Sequence, residues 1–470
     1  MQNGQRIPCV VIEEDSTTQS VLDYRFGWRW LLPSSSGQQA VYFGLNHEEQ
    51  RWWIQTLAMQ SLQGVSSPTE GCLIALDHCD LRSVVNMVNV MCPSWLCAWG
   101  SGSAISLLRE SLGGFGSVRE YALLPADSPR VVVPLSSSSK HAIAGLRLHR
   151  PGRWIAQFGL LAACGLAKFG YFGLVRRRVL LVATRSSDCP VGAVHAKLSI
   201  ALQSEQQDYA LYLGVQGDKR KTVVLPMKNS QLKVILKTAE SIKAREALKN
   251  EAQALQTLAT ITSLASRVPK LIGIEETDCS LTLLQEYHSR QFVRKYHFNA
   301  AVVDFLVELA RLERKEIKLE KLLSLLPRPV CMDLSARVNT AATRLKEKLA
   351  NLAENGFCCW THRCHGDFAS WNCTWSGKGL FVFDWEDSQA NDLALGDAFY
   401  FILSPFVHVQ KQPDATFAMT LAIQFAEELA ERVGFDEIDV RMYLAIWLLQ
   451  RLSQHPFYGK LVVELEQSWQ

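Results

Sequence analysis

The 470-residue sequence lacks several features that would assign it to a class of protein at once. Its formal net charge is only +3, and over the chain as a whole the basic residues form no stripe with aromatic residues between them. Nucleic-acid-binding proteins need such a basic surface, so we expect no nucleic acid partner. The first 15 residues contain no basic start followed by an apolar core, so we expect no secretory signal.

The cysteines also lack the pattern of a disulfide framework or a zinc site. There are 13 of them, an odd number with irregular spacing and no CxxC pair. The four cysteines and two histidines between residues 358 and 373 are close in sequence, but we predict buried thiols there and no zinc cluster. This usage predicts a reducing environment, and we expect a cytoplasmic protein.

Residues 1–200 contain no early glycine-rich nucleotide loop, although apolar strands alternate there with helices. The alternation predicts an α/β domain. Asp77 after a strand, and a later Gly-Gly turn, weakly resemble a degenerate Rossmann-type methyltransferase. Gly100-Ser101-Gly102 comes too late for the cofactor loop of such an enzyme and lacks its third glycine. We therefore favour a degenerate or purely structural domain, with methyl transfer as the weaker alternative.

Residues 154–175 form the longest apolar run, and three arginines follow directly. Twenty-two residues are enough to span a bilayer, and the arginines would mark a cytoplasmic end. Gln157, Lys168 and several glycines argue against a span, because a lysine near the hydrocarbon centre costs about 3 kcal/mol. We favour a buried or interfacial helix. Membrane contact through 154–175, as a true span or an in-plane anchor, is the alternative that we do not favour.

The most informative stretch is a polar loop followed by a short hairpin, at residues 365–387. The loop offers a carboxylate at Asp367 and a carboxamide at Asn372, and a second carboxylate, Asp384, follows the hairpin. Two runs of β-forming residues, joined by Ser-Gly-Lys-Gly, predict that the hairpin returns Asp384 to the neighbourhood of Asn372. Phosphoryl transfer needs a carboxylate facing the attacking hydroxyl and oxygen ligands for magnesium. We predict Asp367 as the base and Asn372 and Asp384 as the metal ligands.

The sequence HGD at 365–367 with Asn372, followed by DWE at 384–386, resembles the aminoglycoside phosphotransferase and choline kinase-like family, relatives of the protein kinases. The resemblance covers the C-terminal part of the chain. It implies a two-lobed kinase-like fold, ATP and magnesium as cofactors, and a small-molecule acceptor. It also implies that His365 braces the catalytic loop beside Asp367.

In the implied fold, residues 205–287 form the small lobe and 288–470 the helical large lobe. Lys237 ends an apolar strand and Glu251 lies on the next helix, and they resemble the ion pair that directs a strand lysine to the nucleotide phosphates. The alternative is two solvated charges. Gly214 and Gly217 lie in a turn between strands, where glycines let backbone amides approach a phosphate, although such a turn is commonly only a hairpin.

These observations predict an α+β protein, with an α/β domain at 1–200 followed by a two-lobed kinase-like domain. The predicted function is ATP- and Mg-dependent phosphotransfer to a hydroxyl group of a small molecule, such as a sugar, an amino-alcohol or a glycan precursor. The alternative is a catalytically inactive kinase-like protein that binds nucleotide or serves as a scaffold. Neither the acceptor nor the oligomeric state can be predicted from the sequence.

Overall fold

The structure is a computed structural model, and it describes most of the chain beyond residue 70. The described residues are 28, 31, 40–43, 45, 71–125, 129–148, 154–185, 208–214, 217–227, 234–277, 280–288, 300–326, 335–376, 379–410, 413–435 and 438–469. The predicted boundary at residues 200–205 lies outside these ranges, as do Val215 and Gln216 of the predicted phosphate turn.

The chain forms two compact units. The first comprises Met1–Leu248 and Ile272–Tyr287, and the second comprises Lys249–Leu271 and His288–Gln470. The division into an N-terminal domain, a small lobe and a large lobe stays a prediction.

One sheet of eleven strands organises the described part of the first unit. Its strands are β1 (Ala40–Phe43), β2 (Gly71–Ala75), β3 (Trp95–Ser101), β4 (Ser117–Leu124), β5 (Val131–Pro134), β6 (Arg178–Thr184), β7 (Asp208–Tyr212), β8 (Thr222–Met227), β9 (Val234–Ala239), β10 (Leu271–Glu276) and β11 (Leu281–Glu286). Their order is β1-β2-β3-β6-β4-β5-β7-β8-β9-β11-β10. The first three strands are parallel, and the neighbours from β3 to β11 pair antiparallel.

The sheet runs without a break from the predicted N-terminal domain into the predicted small lobe. The connecting pair is β5 with β7, in which Val131 lies opposite Tyr212 and Val132 opposite Leu211. Backbone hydrogen bonds therefore join the two predicted domains, since neighbouring strands satisfy each other's amides and carbonyls.

Side chains alternate between the two faces of this sheet, as the period of a strand requires. On β3, Trp95, Cys97 and Trp99 enter one buried cluster, whereas Leu96 and Ala98 enter another on the opposite face. The first cluster contains side chains from β2 to β9. A single apolar layer therefore extends under both the N-terminal strands and the strands of the predicted small lobe.

Helices cover the opposite face of the sheet. They are α1 (Leu81–Met91), α2 (Gly102–Glu110), α3 (Ser139–Leu146) and α4 (Trp154–Lys168). The first two contribute to the cluster that contains Leu96, and the last two contribute to a neighbouring cluster around β5 and β7. The side chain of Asp80 accepts a hydrogen bond from the Ser83 amide at the start of α1, which is ordinary helix capping.

One glycine of the Gly100-Ser101-Gly102 segment and Asp77 both have structural partners within this domain. A Cβ at Gly102 would lie 2.0 Å from the carbonyl oxygen of Arg176, so the space beside this glycine is filled by backbone. Asp77 forms an ion pair with Arg178 at 2.6 Å. These contacts support the structural alternative for this domain, while the resemblance itself stays a prediction.

Helix α4 forms the first two thirds of the long apolar run at 154–175. It covers 15 residues, and a short 3-10 turn, Phe172–Leu174, follows it. Among the described residues, no helix combines the length and the apolarity that crossing a bilayer requires.

The second unit is mainly helical. After α5 (Ile242–Ala259), which begins in the first unit, its helices are α6 (Thr262–Ala265), α7 (Ala300–Ala310), α8 (Leu319–Ser324), α9 (Ala336–Glu354), α10 (Gly396–His408), α11 (Ala415–Val433), α12 (Val440–Arg451) and α13 (Pro456–Ser468). Its strands are β12 (Lys315–Lys318), β13 (Cys358–Cys364) and β16 (Gln389–Leu393) in one sheet, with β14 (Cys373–Ser376) and β15 (Gly379–Val382) as a hairpin. The predicted α+β class is confirmed.

Candidate active site

The hairpin of β14 and β15 brings the predicted metal ligands to its open end. Cys373 lies opposite Val382 in the ladder, and the amide of Phe383 donates to the carbonyl of Asn372 at 2.9 Å. Because Asp384 directly follows Phe383, it lies one residue beyond this pair. Asp384 itself adopts φ 65° and ψ 58°, a left-handed conformation that aspartate tolerates better than most residues.

His365 is fully buried and joins the loop to the end of this hairpin. Its Nδ1 lies 2.9 Å from Oδ1 of Asp367, and its Nε2 lies 2.7 Å from the carbonyl oxygen of Phe383. Both ring nitrogens face acceptors, so only the doubly protonated imidazolium can donate to both. Burial disfavours that charge, but Asp367, Asp397 and the Phe383 carbonyl outweigh it and raise the pKa of His365 to about 9.

Asp367 is held by two partners and still reaches solvent. The Nδ2 of Asn372 donates to its Oδ2 at 2.9 Å and to its backbone carbonyl at 3.1 Å, and His365 lies against Oδ1. The side chain keeps 26% of its surface exposed. Burial raises the pKa of Asp367; His365 opposes this change, and the charges of Asp384 and Asp387 add to it. The carboxylate is therefore fixed in direction, with three acidic groups within electrostatic range of one another.

Asp397, at the start of α10, binds the backbone of the loop that contains His365. Asp397 is 2% exposed, and its two oxygens accept from the amides of His365 at 2.6 Å and of Gly366 at 2.9 Å. Burial raises the pKa of Asp397 to about 6, against the effects of His365 and the two amides. An acidic residue in the first turn of a helix commonly serves only as a charge that the helix dipole favours. The structure shows a side chain that binds the loop backbone.

Gly366 allows the loop to pass close to the next segment. Its φ is +91°, and a Cβ there would lie 2.2 Å from the carbonyl oxygen of Asp387. Only glycine meets both requirements without displacing the backbone.

Asn250 of α5 supports the segment after the predicted metal ligand, and sequence reasoning missed it. Its Nδ2 donates to the carbonyls of Glu386 at 2.8 Å and Ser388 at 2.7 Å. Ser388 in turn donates its hydroxyl to the carbonyl of Cys364 at 2.8 Å. An asparagine within a helix gives no signal of such a role in the sequence, since polar helical residues are commonly solvated.

Lys237 and Glu251 are both buried, with exposures of 4% and 0%. Lys237 lies on β9, between Val223 of β8 and Leu283 of β11. Neither residue is the solvated charge that the alternative interpretation required. They belong to different units, and their pairing and their role toward nucleotide stay predictions.

The two glycines of the predicted phosphate turn differ from each other. Gly214 has φ +46°, and a Cβ there would lie 2.4 Å from the carbonyl oxygen of Lys221, so the hairpin itself requires glycine. Its own carbonyl accepts from Nη1 of Arg130 at 2.5 Å. Gly217 has φ +153° and open space where a side chain would be. Contact with phosphate by either glycine stays a prediction.

The donor set at the hairpin suits a hard divalent cation. Asn372 and Asp384 would supply oxygen ligands, and the acidic groups around Asp367 produce negative charge that a cation would neutralise. Within the described ranges, no group of three or more His, Cys, Asp or Glu side chains is arranged to hold a metal ion. Two protein ligands nevertheless suit Mg²⁺ in phosphotransfer sites, because phosphate oxygens and water complete its shell.

Comparison with known proteins identifies one family model that matches this part of the chain. The model describes the phosphotransferase enzyme family, APH, and it matches residues 221–395. None of the curated proteins matches the chain.

Several solved structures are similar over a little more than half of the chain. A thermostable mutant of aminoglycoside phosphotransferase APH(4)-Ia is 13% identical, with a TM-score of 0.42, covering 58% of this chain and 98% of its own. ADP-bound aminoglycoside phosphotransferase APH(2'')-Ib is 15% identical, with a TM-score of 0.35, covering 58% and 96%. Amicoumacin kinase hAmiN, in complex with AMP-PNP, Ca²⁺ and Ami, is 13% identical, with a TM-score of 0.37, covering 59% and 93%.

The matched range contains Lys237, Glu251 and the whole of the loop and hairpin from His365 to Asp384. The resemblance stated from the sequence is therefore confirmed for the C-terminal part of the chain, where residues 221–395 match the phosphotransferase enzyme family.

Proposed function

We propose that the protein is an ATP- and Mg²⁺-dependent phosphotransferase that acts on a hydroxyl group of a small molecule. The observation that carries the proposal is the loop around Asp367. This carboxylate is oriented by His365 and Asn372, keeps access to solvent, and belongs to a loop that Asp397 fixes through two amides. Such a fixed carboxylate is what an acceptor hydroxyl needs for alignment.

In the proposed reaction, Asp367 accepts a hydrogen bond from the acceptor hydroxyl and takes its proton as the oxygen attacks the γ-phosphorus of ATP. The bond between the γ-phosphorus and the bridging oxygen breaks, and ADP leaves with that oxygen. The imidazolium of His365 keeps one oxygen of Asp367 directed into the loop. Asn372 does the same for the other oxygen, through its amide.

Asn372 and Asp384 would hold Mg²⁺, which supplies charge neutralisation for the phosphate groups when it is bound. We propose that Lys237, supported by Glu251, directs positive charge to the nucleotide phosphates. Gly214 and Gly217 would approach the same phosphates through their amides. Aminoglycosides and amicoumacin are bound or modified by the similar proteins named above, and the acceptor class of this chain is a sugar, an amino-alcohol or a glycan precursor.

The test combines nucleotide binding with product formation. For Asp384→Ala we expect Mg²⁺-dependent binding of an ATP analogue, measured by calorimetry, to fall at least about tenfold, because a charged ligand is lost. For Asp367→Asn we expect nucleotide binding to remain and turnover to fall about 10²–10⁴-fold, as for loss of a general base. Asp304→Asn is the matched control, since Asp304 is a half-exposed carboxylate paired with Arg432.

Two results would contradict the proposed enzymatic function. Unchanged Mg²⁺-dependent binding in Asp384→Ala would remove the metal assignment. Nucleotide binding without any phosphorylated product, across a broad panel of acceptors and with Asp367→Asn indistinguishable from the native chain, would favour the inactive nucleotide-binding or scaffold protein.

A further inference from the structure

We propose that the outward face of α4 and the turn after it form a docking surface for an anionic lipid membrane. We call this face the α4 surface. Its large side chains are Phe158, Leu161, Leu166, Phe169, Tyr171 and Leu174.

Most of the large apolar residues of α4 and of the turn after it face outward, although Leu160 packs against the interior cluster and Phe172 is buried in it. Ala163 and Ala167 face the domain interior and are buried, whereas Phe158 and Phe169 are 66% and 75% exposed. The exposed positions 158, 161, 166 and 169 follow the spacing of one helical face. A helix that only stabilised its own domain would bury its large apolar side chains, because their transfer from water is the more favourable.

The exposed apolar residues are concentrated at this face. Fifteen large hydrophobic side chains are exposed in the described part of the chain, and six of them lie at positions 158–174. The other nine are distributed over the rest of the two units. Scattered exposed residues need no explanation, but a contiguous apolar patch marks an interaction site.

The charge around the α4 surface is positive. Between Asp127 and Asp188 the sequence contains no acidic residue and ten arginines and lysines, a local excess that the net charge of +3 conceals. Lys168 and Arg177 are exposed beside the apolar side chains. Arg176 and Arg178, by contrast, are neutralised by ion pairs with Glu120 and Asp77.

An anionic membrane fits this combination better than other occupants. An interfacial helix inserts its apolar face to the depth of the headgroups, while its basic side chains attract anionic lipid. A second copy of the chain would bring two positive surfaces together. A nucleic acid would satisfy the charge but leave the phenylalanine and leucine side chains against water or phosphate.

The experiment uses the full chain and two kinds of vesicle, one of phosphatidylcholine alone and one with about 30% phosphatidylserine added to supply anionic lipid. We expect co-sedimentation with the anionic vesicles, weakening as salt is added. In Phe169→Ser/Leu174→Ser we expect affinity to fall at least about tenfold, because two inserted apolar groups are lost. In Lys168→Gln/Arg177→Gln we expect a fall of about 25-fold, since each basic side chain contributes about fivefold.

Matched controls keep the test specific. Val90→Ser/Leu107→Ser removes two other exposed apolar side chains of the first unit, which are 84% and 53% exposed. Lys270→Gln/Lys460→Gln removes two exposed lysines of the second unit. Both controls should bind like the native chain. All the altered side chains are exposed, and thermal unfolding should confirm that each variant is folded.

Three results would overturn the proposal. One is the absence of binding to anionic vesicles at low salt. Another is binding that the α4 variants and the controls weaken equally. The third is self-association, measured by light scattering, that Phe169→Ser/Leu174→Ser abolishes while vesicle binding persists, since the surface would then be covered by a second copy.

Discussion

At the scale of single residues, the loop is fixed by a few buried polar atoms that have well-defined partners. Asp397 satisfies two successive amides, and His365 offers both ring nitrogens to acceptors. Buried polar groups of this kind are costly when one partner is removed, because the remaining group loses both water and its hydrogen bond. Conservative substitutions should therefore have large effects here.

Gly366→Ala tests the close approach of the loop to Asp387. We expect a loss of about 3 kcal/mol or more in the free energy of unfolding, because the new Cβ adds a backbone clash to an unfavourable φ. Gly356→Ala is the control, since Gly356 has φ +77° but open space where the Cβ would be, and should cost about 1 kcal/mol. Urea denaturation measures both. Equal losses would show that the approach to Asp387 is not a constraint.

His365→Gln tests the raised pKa of the buried imidazole. The folded pKa of about 9 lies above the ordinary value of 6.5, so the stabilisation is complete below pH 6.5 and is lost as pH rises through 9. In buffer without magnesium, the native chain should lose up to about 3 kcal/mol of unfolding free energy over this interval, and the variant should not.

His362→Gln is the control for that pH dependence. Burial lowers the pKa of His362 to about 4, so this residue destabilises the fold only as pH falls below 6.5. Its replacement should change the acid side of the profile alone. If the unfolding free energy of His365→Gln falls at alkaline pH as much as that of the native chain, the ion pair between His365 and Asp367 is not the cause of the decline.

At the scale of elements, a strand-end arginine supports the predicted phosphate turn. Arg130 lies next to β5 and donates to the carbonyl of Gly214, 84 positions later in the chain. Arg130→Leu should lower the free energy of unfolding by about 1–2 kcal/mol, because a charge-assisted hydrogen bond to a carbonyl is lost. If the turn contacts phosphate, the Kd for nucleotide should also rise about three- to tenfold.

Arg109→Leu serves as the control for Arg130. The Arg109 side chain is half-exposed, and its Nη1 lies 3.7 Å from Oε1 of Glu120, which is a long and weak ion pair. Its loss should therefore cost less than about 1 kcal/mol of unfolding free energy. Calorimetry of nucleotide binding and urea denaturation together distinguish the outcomes. An unchanged nucleotide Kd in Arg130→Leu would indicate that the turn is only a hairpin.

Elements with local signals were predicted well from the sequence. Helix α11 has clear local signals in the sequence, because Asp414 caps its start and Gly434 ends it with φ 72°. The hairpin that returns Asp384 to Asn372 also depends on neighbouring residues alone. Contacts over long separations were missed: Asn250 binds carbonyls 136 and 138 positions away, and no pattern near it indicates this.

At the scale of the whole molecule, the main difference from expectation is the single sheet. Sequence reasoning placed a boundary near residue 200, since composition changes there. The pairing of β5 with β7 depends instead on edge complementarity between strands about 80 residues apart, which composition does not reveal. The shared apolar layer likewise contains residues from both sides, such as Tyr121 and Leu236.

A fragment of residues 205–470 tests this continuity. It lacks β5, one of the two neighbours of β7, and much of the shared apolar layer. We therefore expect it to be insoluble or to unfold at least about 10 °C below the full chain, because exposed edges and cores promote aggregation. Co-expression of residues 1–204 as a separate chain should restore solubility. A fragment that melts and binds nucleotide like the full chain would contradict the expectation.

The pairing of Val131 and Val132 with Tyr212 and Leu211 also bears on how such a gene can change during evolution. After a recombination event near position 200, the new N-terminal part would have to contain a strand whose direction, length and apolar face match β7. Otherwise the backbone amides and carbonyls at this edge of β7 would stay unpaired. The two halves are therefore expected to be inherited together, and an exchange of modules between related genes should be disfavoured at this position.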